Sequence, residues 1–428
     1  MQEIKSRKRP RGKPGRNRLY VVPFILVLLF TTVSFKAQSS ETVSTVSPLS
    51  DPIRQVTLGM AYIMALMLLV FKLNSTLKSC GRNWIYFLSI TYMLLSAMWS
   101  IFPGIVFITF VHNIGFVAIV LCAIYFIDDN IYRLLALFLT FSAAMVLGSI
   151  VLARFLPGRG AYYNGRWIGV SDQPNELGYI CMISVWSAVA GIYFFKSKII
   201  RFVNIILLGS TSICLYFSDS MTSMICSLFV IAAFLSLINR DLGKPRHPLI
   251  RLAIYTWSGV SILLVLYAFH PGLLRARAIF HMLGREPNLT GRTRLWALGE
   301  KALLKKPFLG WSFDSMASIL SEGIISYYQF HNGYLNLAVS GGVPGLTLLI
   351  LVLLRYARLS VRLLNTEYAV TASIGILVMS ILIHNIAEAS IMRVTHPLWL
   401  VFLLCYFYID HLAASTLKQD DRQLPGDQ

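Results

Sequence analysis

Apolar runs long enough to cross a lipid bilayer recur along most of the chain. The hydrocarbon core of a membrane needs about 17–25 predominantly apolar residues in one helix. Twelve runs of roughly that length alternate with short polar segments. They lie at 19–35, 57–73, 84–102, 104–127, 131–152, 177–195, 202–217, 221–238, 252–269, 335–354, 368–387 and 395–412. The pattern predicts an all-α, polytopic membrane protein with about 12 transmembrane helices.

Basic residues alternate between the two predicted sides of the membrane. Residues 1–18 hold eight basic residues and one acid. Every second connection after them is also basic, whereas the short connections in between hold few lysines or arginines. Because an excess of Lys and Arg marks the cytoplasmic side, we expect 1–18 and 413–428 to be cytoplasmic tails. The first run, 19–35, also has the form of a signal peptide, but the absence of a clear small-residue cleavage site favours an uncleaved anchor.

Two outer segments, 153–176 and 270–334, interrupt this alternation. The second has about 65 residues, with eight basic residues and four acids. Long loops cross the membrane regardless of their charge, so the basic residues of this loop are compatible with the predicted topology. The topology does not account for why the loop is basic. An anionic ligand on the outer face would explain it. The chain thus divides into transmembrane helices 1–9 (19–269), a large outer loop (270–334) and transmembrane helices 10–12 (335–412).

Composition excludes several classes of protein. Hydrophobic residues make up 56% of the chain and charged residues 13%, against about 25% charged in soluble proteins. A net charge of +19 would suggest nucleic acid in a soluble protein, but here it indicates basic loops against anionic membrane lipids, and no nucleic-acid partner is expected. The six cysteines form no CxxC pair, and no acidic cluster or nucleotide-binding motif is present. We therefore expect no metal and no cofactor.

The large outer loop contains a predicted surface helix. Thr290 or Thr293 could cap its start, and Pro307 would end it. Its apolar stripe has helical spacing and consists of Leu295, Leu298, Ala302 and Leu303. The glycines and proline of 341–345 would loosen the start of the next membrane helix. An outer lid without chemistry is the alternative interpretation of this loop.

Arg292 and Arg294 lie near the start of that helix. A guanidinium binds phosphate oxygens in a bidentate manner, and the free N–H groups of a helix start favour the same anion. The two side chains lie about 200° apart around a helix, so only one is expected to face a site. The alternative is a solvated face or a contact with lipid head groups.

The first outer segment holds a second group of polar candidates. Arg166, beside Trp167, could bind a charged sugar or a phosphate, and Arg159 is a weaker candidate of the same kind. Asn175 follows a proline and precedes a membrane helix. It could cap that helix or bind substrate, and the sequence leaves both roles open.

His331 lies where the large outer loop meets the next membrane helix. A neutral imidazole there could accept a proton from a hydroxyl group, although a lone histidine is more often a structural hydrogen-bonding residue. Asn332, beside it, is a candidate for substrate binding. His384 and Glu388 are four residues apart near the end of a span, and could form either a proton relay or a packed polar pair.

Six segments, in this order, resemble motifs of the bacterial O-antigen ligases and the O-antigen or exopolysaccharide polymerases. They are Arg166–Gly169, Pro174–Gly178, Gly291–Trp296, Pro307–Trp311, His331–Leu335 and Gly341–Gly345. Each motif is weak alone, but their order, spacing and predicted sidedness are specific together. The rest of the chain resembles the family in topology only.

The resemblance implies a metal-independent glycosyltransferase of the bacterial inner membrane with a periplasmic active site. The donor would be a glycan on undecaprenyl diphosphate, and the acceptor another glycan or the lipid A core. Arg292 and His331 match the arginine and histidine of the family's large loop and would be catalytic, while Arg166 matches the arginine of its earlier motif. A flippase and a chain-length regulator are further candidate partners, besides the lipids of the inner membrane.

One departure from the family bears on the choice between its two activities. Ligases usually carry an arginine where this chain has Met221, in the stretch Ser218–Thr222. The departure favours a polymerase of repeat units over an O-antigen ligase. A secondary transporter is the alternative of another class, because twelve spans and a glycine-rich helix break suit one. Against it, the polar candidates lie in outer loops, and no internal repeat is visible.

Overall fold

The computed structural model describes residues 18–33, 52–155, 162–163, 165–241, 292–325, 329–393 and 395–423. A 3₁₀ turn at Arg18–Val21 leads into the first helix. The helices of the first half are α1 (Val22–Thr32), α2 (Pro52–Val70), α3 (Leu73–Arg82), α4 (Trp84–Leu95), α5 (Pro103–Ile127), α6 (Ile131–Phe155), α7 (Pro174–Phe194), α8 (Lys198–Ser218) and α9 (Met221–Asp241).

After the gap at 242–291, the described residues form two short helices and three longer ones. They are α10 (Arg292–Lys305), α11 (Ala317–Ser321), α12 (Gly333–Leu363), α13 (Tyr368–His384) and α14 (Pro397–Gln423). The only sheet in the described residues is a hairpin of β1 (Tyr162–Tyr163) and β2 (Arg166–Trp167). The all-α, polytopic fold predicted from the apolar runs is confirmed.

Each predicted span within the described residues corresponds to a helix. Among the described residues, seven helices are long and apolar enough to cross a membrane. An eighth span is added if α2 and α3, which meet at an angle of 105°, are counted as one. The helices at 18–32, 84–98 and 368–384 are apolar but shorter. The predicted span at 252–269 lies outside the described residues, so the predicted total of twelve stays a prediction.

Several predicted boundaries differ from those of the structure. The outer segment expected at 153–176 is shorter, because α6 continues to Phe155 and α7 begins at Pro174, and the β hairpin lies between them. A strand of two residues is too short to show the alternation of apolar and polar residues by which strands are recognised in a sequence. At the other end of the chain, α14 continues through the expected tail as far as Gln423.

Two polar ends flank the apolar core of the helix bundle. At one end, which we call the basic end, the buried Asp410 binds Arg82 at 2.7 Å and also Arg355 at 2.5 Å. At the opposite end lie the β hairpin, α10 and the start of α12. The described parts of the two predicted outer segments therefore lie at the opposite end of the bundle from Arg82, Arg355 and Asp410.

A break in α12 fixes the position of the outer loop. Gly342 has a φ of +58° within the helix, followed by Pro344. A Cβ on Gly342 would lie 2.2 Å from the Phe308 carbonyl oxygen, so only glycine allows this approach. The backbone N–H groups of Trp311 and Ser312 donate to carbonyl groups of α12 at 2.8 and 2.9 Å. The predicted loosening at 341–345 is thus confirmed, and the loop docks where the helix is interrupted.

The position of α8 between the two ends gives a test of membrane sidedness. Reporter domains fused to chains truncated after Lys196 and after Asp219 would lie at opposite ends of α8. From the distribution of basic residues, we expect the Lys196 fusion to be active only as a cytoplasmic reporter and the Asp219 fusion only as an external one. A fusion after Gln428 should behave like the Lys196 fusion. The reverse pattern would contradict the predicted orientation.

Candidate active site

Glu388 is the centre of the polar network at the end opposite the basic end. It lies in the turn between α13 and α14, and its residue surface is 9% exposed. One carboxylate oxygen accepts from Arg292 at 2.6 Å and from Asn175 at 2.7 Å. The other oxygen lies 2.9 Å from Nδ1 of His331. Residues from three distant parts of the chain therefore meet at one carboxylate.

Asn385 shapes the turn that presents Glu388. Its buried side-chain oxygen accepts from the backbone N–H groups of Ser390 and Ile391 at 2.8 and 3.1 Å. The backbone N–H of Gly333 donates to the carbonyl oxygens of Asn385 and Glu388 at 2.8 and 3.0 Å. A Cβ on Gly333 would lie 2.1 Å from the Asn385 side-chain oxygen, so this contact requires glycine. The start of α12 and the turn after α13 are thereby joined directly.

His331 faces Glu388 from the last loop residues before α12. Its backbone φ is +50°, a left-handed conformation that is uncommon outside glycine. The preceding segment is held in place because Trp296 donates to the Phe330 carbonyl at 3.0 Å. Nε2 of His331 lies 3.4 Å from the side-chain amide nitrogen of Gln329. A histidine that gives its Nδ1–H to a carboxylate keeps Nε2 as its basic nitrogen.

Arg292 is the inward arginine of α10. Its guanidinium donates to Glu388 and to the Ala387 carbonyl, and its side chain is 16% exposed. Arg294 is exposed on the same helix. This agrees with the prediction that only one of the two arginines faces a site. Arg292 itself begins the helix, so Thr293 is not its cap, and Thr290 lies outside the described residues.

The inner face of α10 packs against the start of α12. The predicted stripe is confirmed in part: Ala302 is buried, while Leu295, Leu298 and Leu303 pack at the edge of the same cluster. The buried residues of α10 are Trp296, Gly299 and Ala302, so Trp296 and Gly299 belong to the packed face although the predicted stripe did not include them. Trp311 also anchors the helix end, because its indole N–H donates to the Ala302 carbonyl at 2.8 Å.

Arg166 joins the network through Asn175. It donates to the side-chain oxygen of Asn175 at 3.3 Å, and to the carbonyl oxygens of Ser218 and Asp219 at 2.9 and 2.8 Å. Asn175 lies inside the first turn of α7, whose N-cap is Gln173. The capping role considered for Asn175 is therefore wrong, and its side chain instead connects Arg166 to Glu388.

The other predicted residues have different positions. Asn332 is the N-cap of α12, and its side-chain oxygen accepts from the Leu335 backbone N–H at 3.0 Å. Its predicted contact with substrate stays a prediction. Arg159 lies outside the described residues. Trp167, the neighbour of Arg166, is stacked on Phe217 with ring centroids 4.5 Å apart.

The turn that carries Met221 has a defined partner in the structure. Met221 is the first residue of α9, and the turn before it supplies the Ser218 and Asp219 carbonyl groups that bind Arg166. The guanidinium group of Arg166 therefore contacts this turn from the β hairpin. The turn has an arginine beside it even though Met221 stands where ligases usually carry one.

Sequence reasoning missed the roles of Glu388 and Arg393 in this network. Glu388 was considered only as a partner of His384, whereas His384 lies 3.3 Å from the hydroxyl of Ser223. Arg393 is close to Glu388 and donates to the side-chain oxygen of Gln329 at 2.5 Å. The available signal was an acid next to the end of a membrane span, where an ionisable group is costly and usually functional.

The electrostatics of the site favour an ionised carboxylate. Burial alone raises the pKa of the Glu388 carboxyl, but the hydrogen bond from His331 and the charge of Arg292 outweigh burial and lower the pKa to about 2. Burial lowers the pKa of Arg393, and the nearby carboxylates of Glu176 and Glu388 oppose this effect. The site therefore combines a fixed anion, a histidine and several guanidinium groups. Such a site can orient a histidine as a base and bind an anionic oxygen.

The grouping of carboxylates and histidine that could hold a cation lies elsewhere. Within the described residues it consists of Asp128, Asp129 and His411, near the basic end. Glu388, by contrast, is occupied by Arg292, His331 and Asn175. The predicted independence from metal ions stays a prediction.

Comparisons with known proteins agree with the resemblance seen in the motifs. The family model described as O-antigen ligase matches residues 204–350, a range that includes Arg292, His331 and the break in α12. The chain is also similar to the exopolysaccharide production protein ExoQ of Rhizobium meliloti (strain 1021). The two are 25% identical over 367 residues, which cover 80% of this chain and 76% of that protein. Both similarities support a relationship to the O-antigen ligases and polysaccharide polymerases, and a membrane enzyme of polysaccharide or lipopolysaccharide biosynthesis.

Proposed function

We propose that the protein is a membrane glycosyltransferase that polymerises the repeat units of an exopolysaccharide or O-antigen. The donor is a glycan on undecaprenyl diphosphate, and the acceptor is a hydroxyl group of another carrier-linked glycan. The observation that carries the proposal is the network in which Glu388 joins Arg292 and His331 at one end of the bundle. The exopolysaccharide name of the relative supports a polymerase. Transfer to lipid A core is the second candidate, favoured by the family model.

The proposed reaction needs a base and a stabiliser of negative charge. The acceptor oxygen attacks the anomeric carbon, the bond from that carbon to the diphosphate oxygen breaks, and the acceptor proton passes to Nε2 of His331. Glu388 holds the imidazole and stabilises its positive charge, as the third group of a catalytic triad does. Attack opposite the leaving group inverts the anomeric configuration.

Arginine side chains supply the positive charge in this proposal. A guanidinium has five N–H donors, and Arg292 uses two of its nitrogens for Glu388 and Ala387. Its position close to His331 allows it to stabilise the departing diphosphate, and Arg166 binds the same donor. The proposal also places the site at the periplasmic face of the inner membrane, requires no metal ion, and leaves flippase and chain-length regulator as candidate partners.

A deletion strain tests the reaction type. For a polymerase, we expect single repeat units to remain on the carrier or on lipid A core, because joining of units is lost. Surface polysaccharide is analysed by gel electrophoresis and mass spectrometry, with the wild-type gene restored as the control. Long glycan chains retained on the carrier would instead support the ligase. Unchanged polysaccharide would contradict both activities.

Substitution of Arg292 tests the stabilisation of charge. Loss of a preorganised charge stabiliser typically costs about 10²–10³-fold in rate, so Arg292→Ala should remove visible polymer. Arg292→Lys should restore little activity, because an ammonium group cannot bind the diphosphate oxygens in the bidentate manner of a guanidinium. Activity is measured with purified protein and lipid-linked glycan in the presence of EDTA. If the wild-type protein loses transfer on chelation, independence from metal is wrong.

Arg294→Ala is the matched control for that substitution, since Arg294 is exposed on the same helix. It removes one arginine from the same turn and should retain most activity. Equal losses in Arg292→Ala and Arg294→Ala would mean that the loop requires only general positive charge. Membrane insertion and the temperature of unfolding are compared for all variants.

Substitution of His331 and Glu388 tests the base and its orienting carboxylate. A general base typically contributes about 10²–10⁴-fold to the rate, so we expect His331→Ala to lose activity by that factor. Glu388→Gln keeps the size of the side chain but removes its charge, and should lower kcat more than it raises KM. Kinetics of transfer and thermal unfolding are measured together. His281→Ala, in the same predicted loop, is the control, and near-normal kcat in His331→Ala would remove the base role.

A further inference from the structure

The basic end of the bundle carries a groove between α4 and the last turns of α12. Its volume is about 460 Å³, and four guanidinium groups border it: Arg82, Arg355, Arg358 and Arg362. Asp410 binds two of them, Arg82 and Arg355. Within the described part of the chain, no acidic side chain lines the groove. The four arginines and the single aspartate therefore leave an excess of three positive charges.

The same groove has an apolar wall. Leu351 and Leu354 lie about one to three turns before Arg358 and Arg362 on α12, nearer the middle of the helix. Trp84 and Ile85, at the start of α4, line the same groove. Leu354 and Trp84 are each 60% exposed in the bundle. From Leu351 to Arg362 the helix rises by about 16 Å. The surface is therefore apolar toward the bilayer centre and cationic toward the membrane boundary.

We propose that this groove is a binding site for an anionic glycerophospholipid. Its phosphate lies between Arg358 and Arg362, and an acyl chain lies along Leu351 and Leu354. Guanidinium groups bind phosphate oxygens in a bidentate manner, and basic pockets between transmembrane helices accept lipid head groups. The excess positive charge selects an anionic lipid over a zwitterionic one, and the apolar wall selects a lipid over a soluble phosphate. The site is independent of the proposed reaction, which lies at the other end of the bundle.

Native mass spectrometry of the full chain in detergent tests this site. The protein is titrated with phosphatidylglycerol or phosphatidylcholine of identical acyl chains, and we expect preferential binding of phosphatidylglycerol. Since each arginine near an anionic lipid contributes about a fivefold preference, the double variant Arg358→Gln, Arg362→Gln should weaken this binding at least about tenfold. Leu354→Trp should weaken binding of both lipids, because the larger side chain fills the apolar wall.

The matched control is the double variant Lys196→Gln, Lys198→Gln. It removes two exposed positive charges from the same end of the bundle, outside the groove, and should leave the lipid preference unchanged. An equal loss in this control would show that only general surface charge attracts the lipid. Equal binding of the two lipids would overturn the proposal, as would displacement of phosphatidylglycerol by glycerol phosphate at equal concentration, which would indicate a site for free phosphate.

Discussion

The burial of one carboxylate constrains the end of the bundle opposite the basic end. An ionised side chain that is removed from water is strongly unfavourable unless charged and hydrogen-bonding partners surround it. Glu388 is 9% exposed and obtains its partners from three places: Arg292 on α10, His331 before α12 and Asn175 on α7. Its burial is stable only when α7, α10, the residues before α12 and the turn after α13 are together. The folded arrangement of the site is therefore linked to the charge of one residue.

The break in α12 imposes a second constraint, because it leaves backbone N–H and C=O groups without partners inside the helix. A helix interrupted near a membrane must have its unpaired N–H and C=O groups satisfied by neighbouring protein. Val343 donates to the carbonyls of Pro307 and Phe308 at 3.1 and 3.2 Å, and Trp311 donates to the Val339 carbonyl at 2.8 Å. The loop that satisfies the interrupted helix is the continuation of α10. Satisfying the break in α12 thus also places Arg292 beside the start of that helix.

Much of this arrangement could be predicted from local pattern. Apolar runs predicted the helices because length and hydropathy alone decide whether a segment can span a bilayer. The 100° rotation per residue predicted that Arg292 and Arg294 would diverge, and in the structure Arg292 is partly buried whereas Arg294 is exposed. The role of Glu388 could not be predicted in the same way. Its partners are 57, 96 and 213 residues away along the chain, and no local periodicity reports which distant side chains meet.

The pairing of Arg292 with Glu388 also bears on how the proposed transfer is promoted. An interaction accelerates a reaction only if it is stronger in the transition state than in the ground state. A guanidinium held by a carboxylate is already oriented, so it need not reorganise when charge develops on the departing diphosphate. In the proposed transfer, a proton gained by His331 would give Glu388 a second positively charged partner and would weaken its hold on Arg292. Proton transfer on one side of the carboxylate would then release positive charge toward the leaving group on the other.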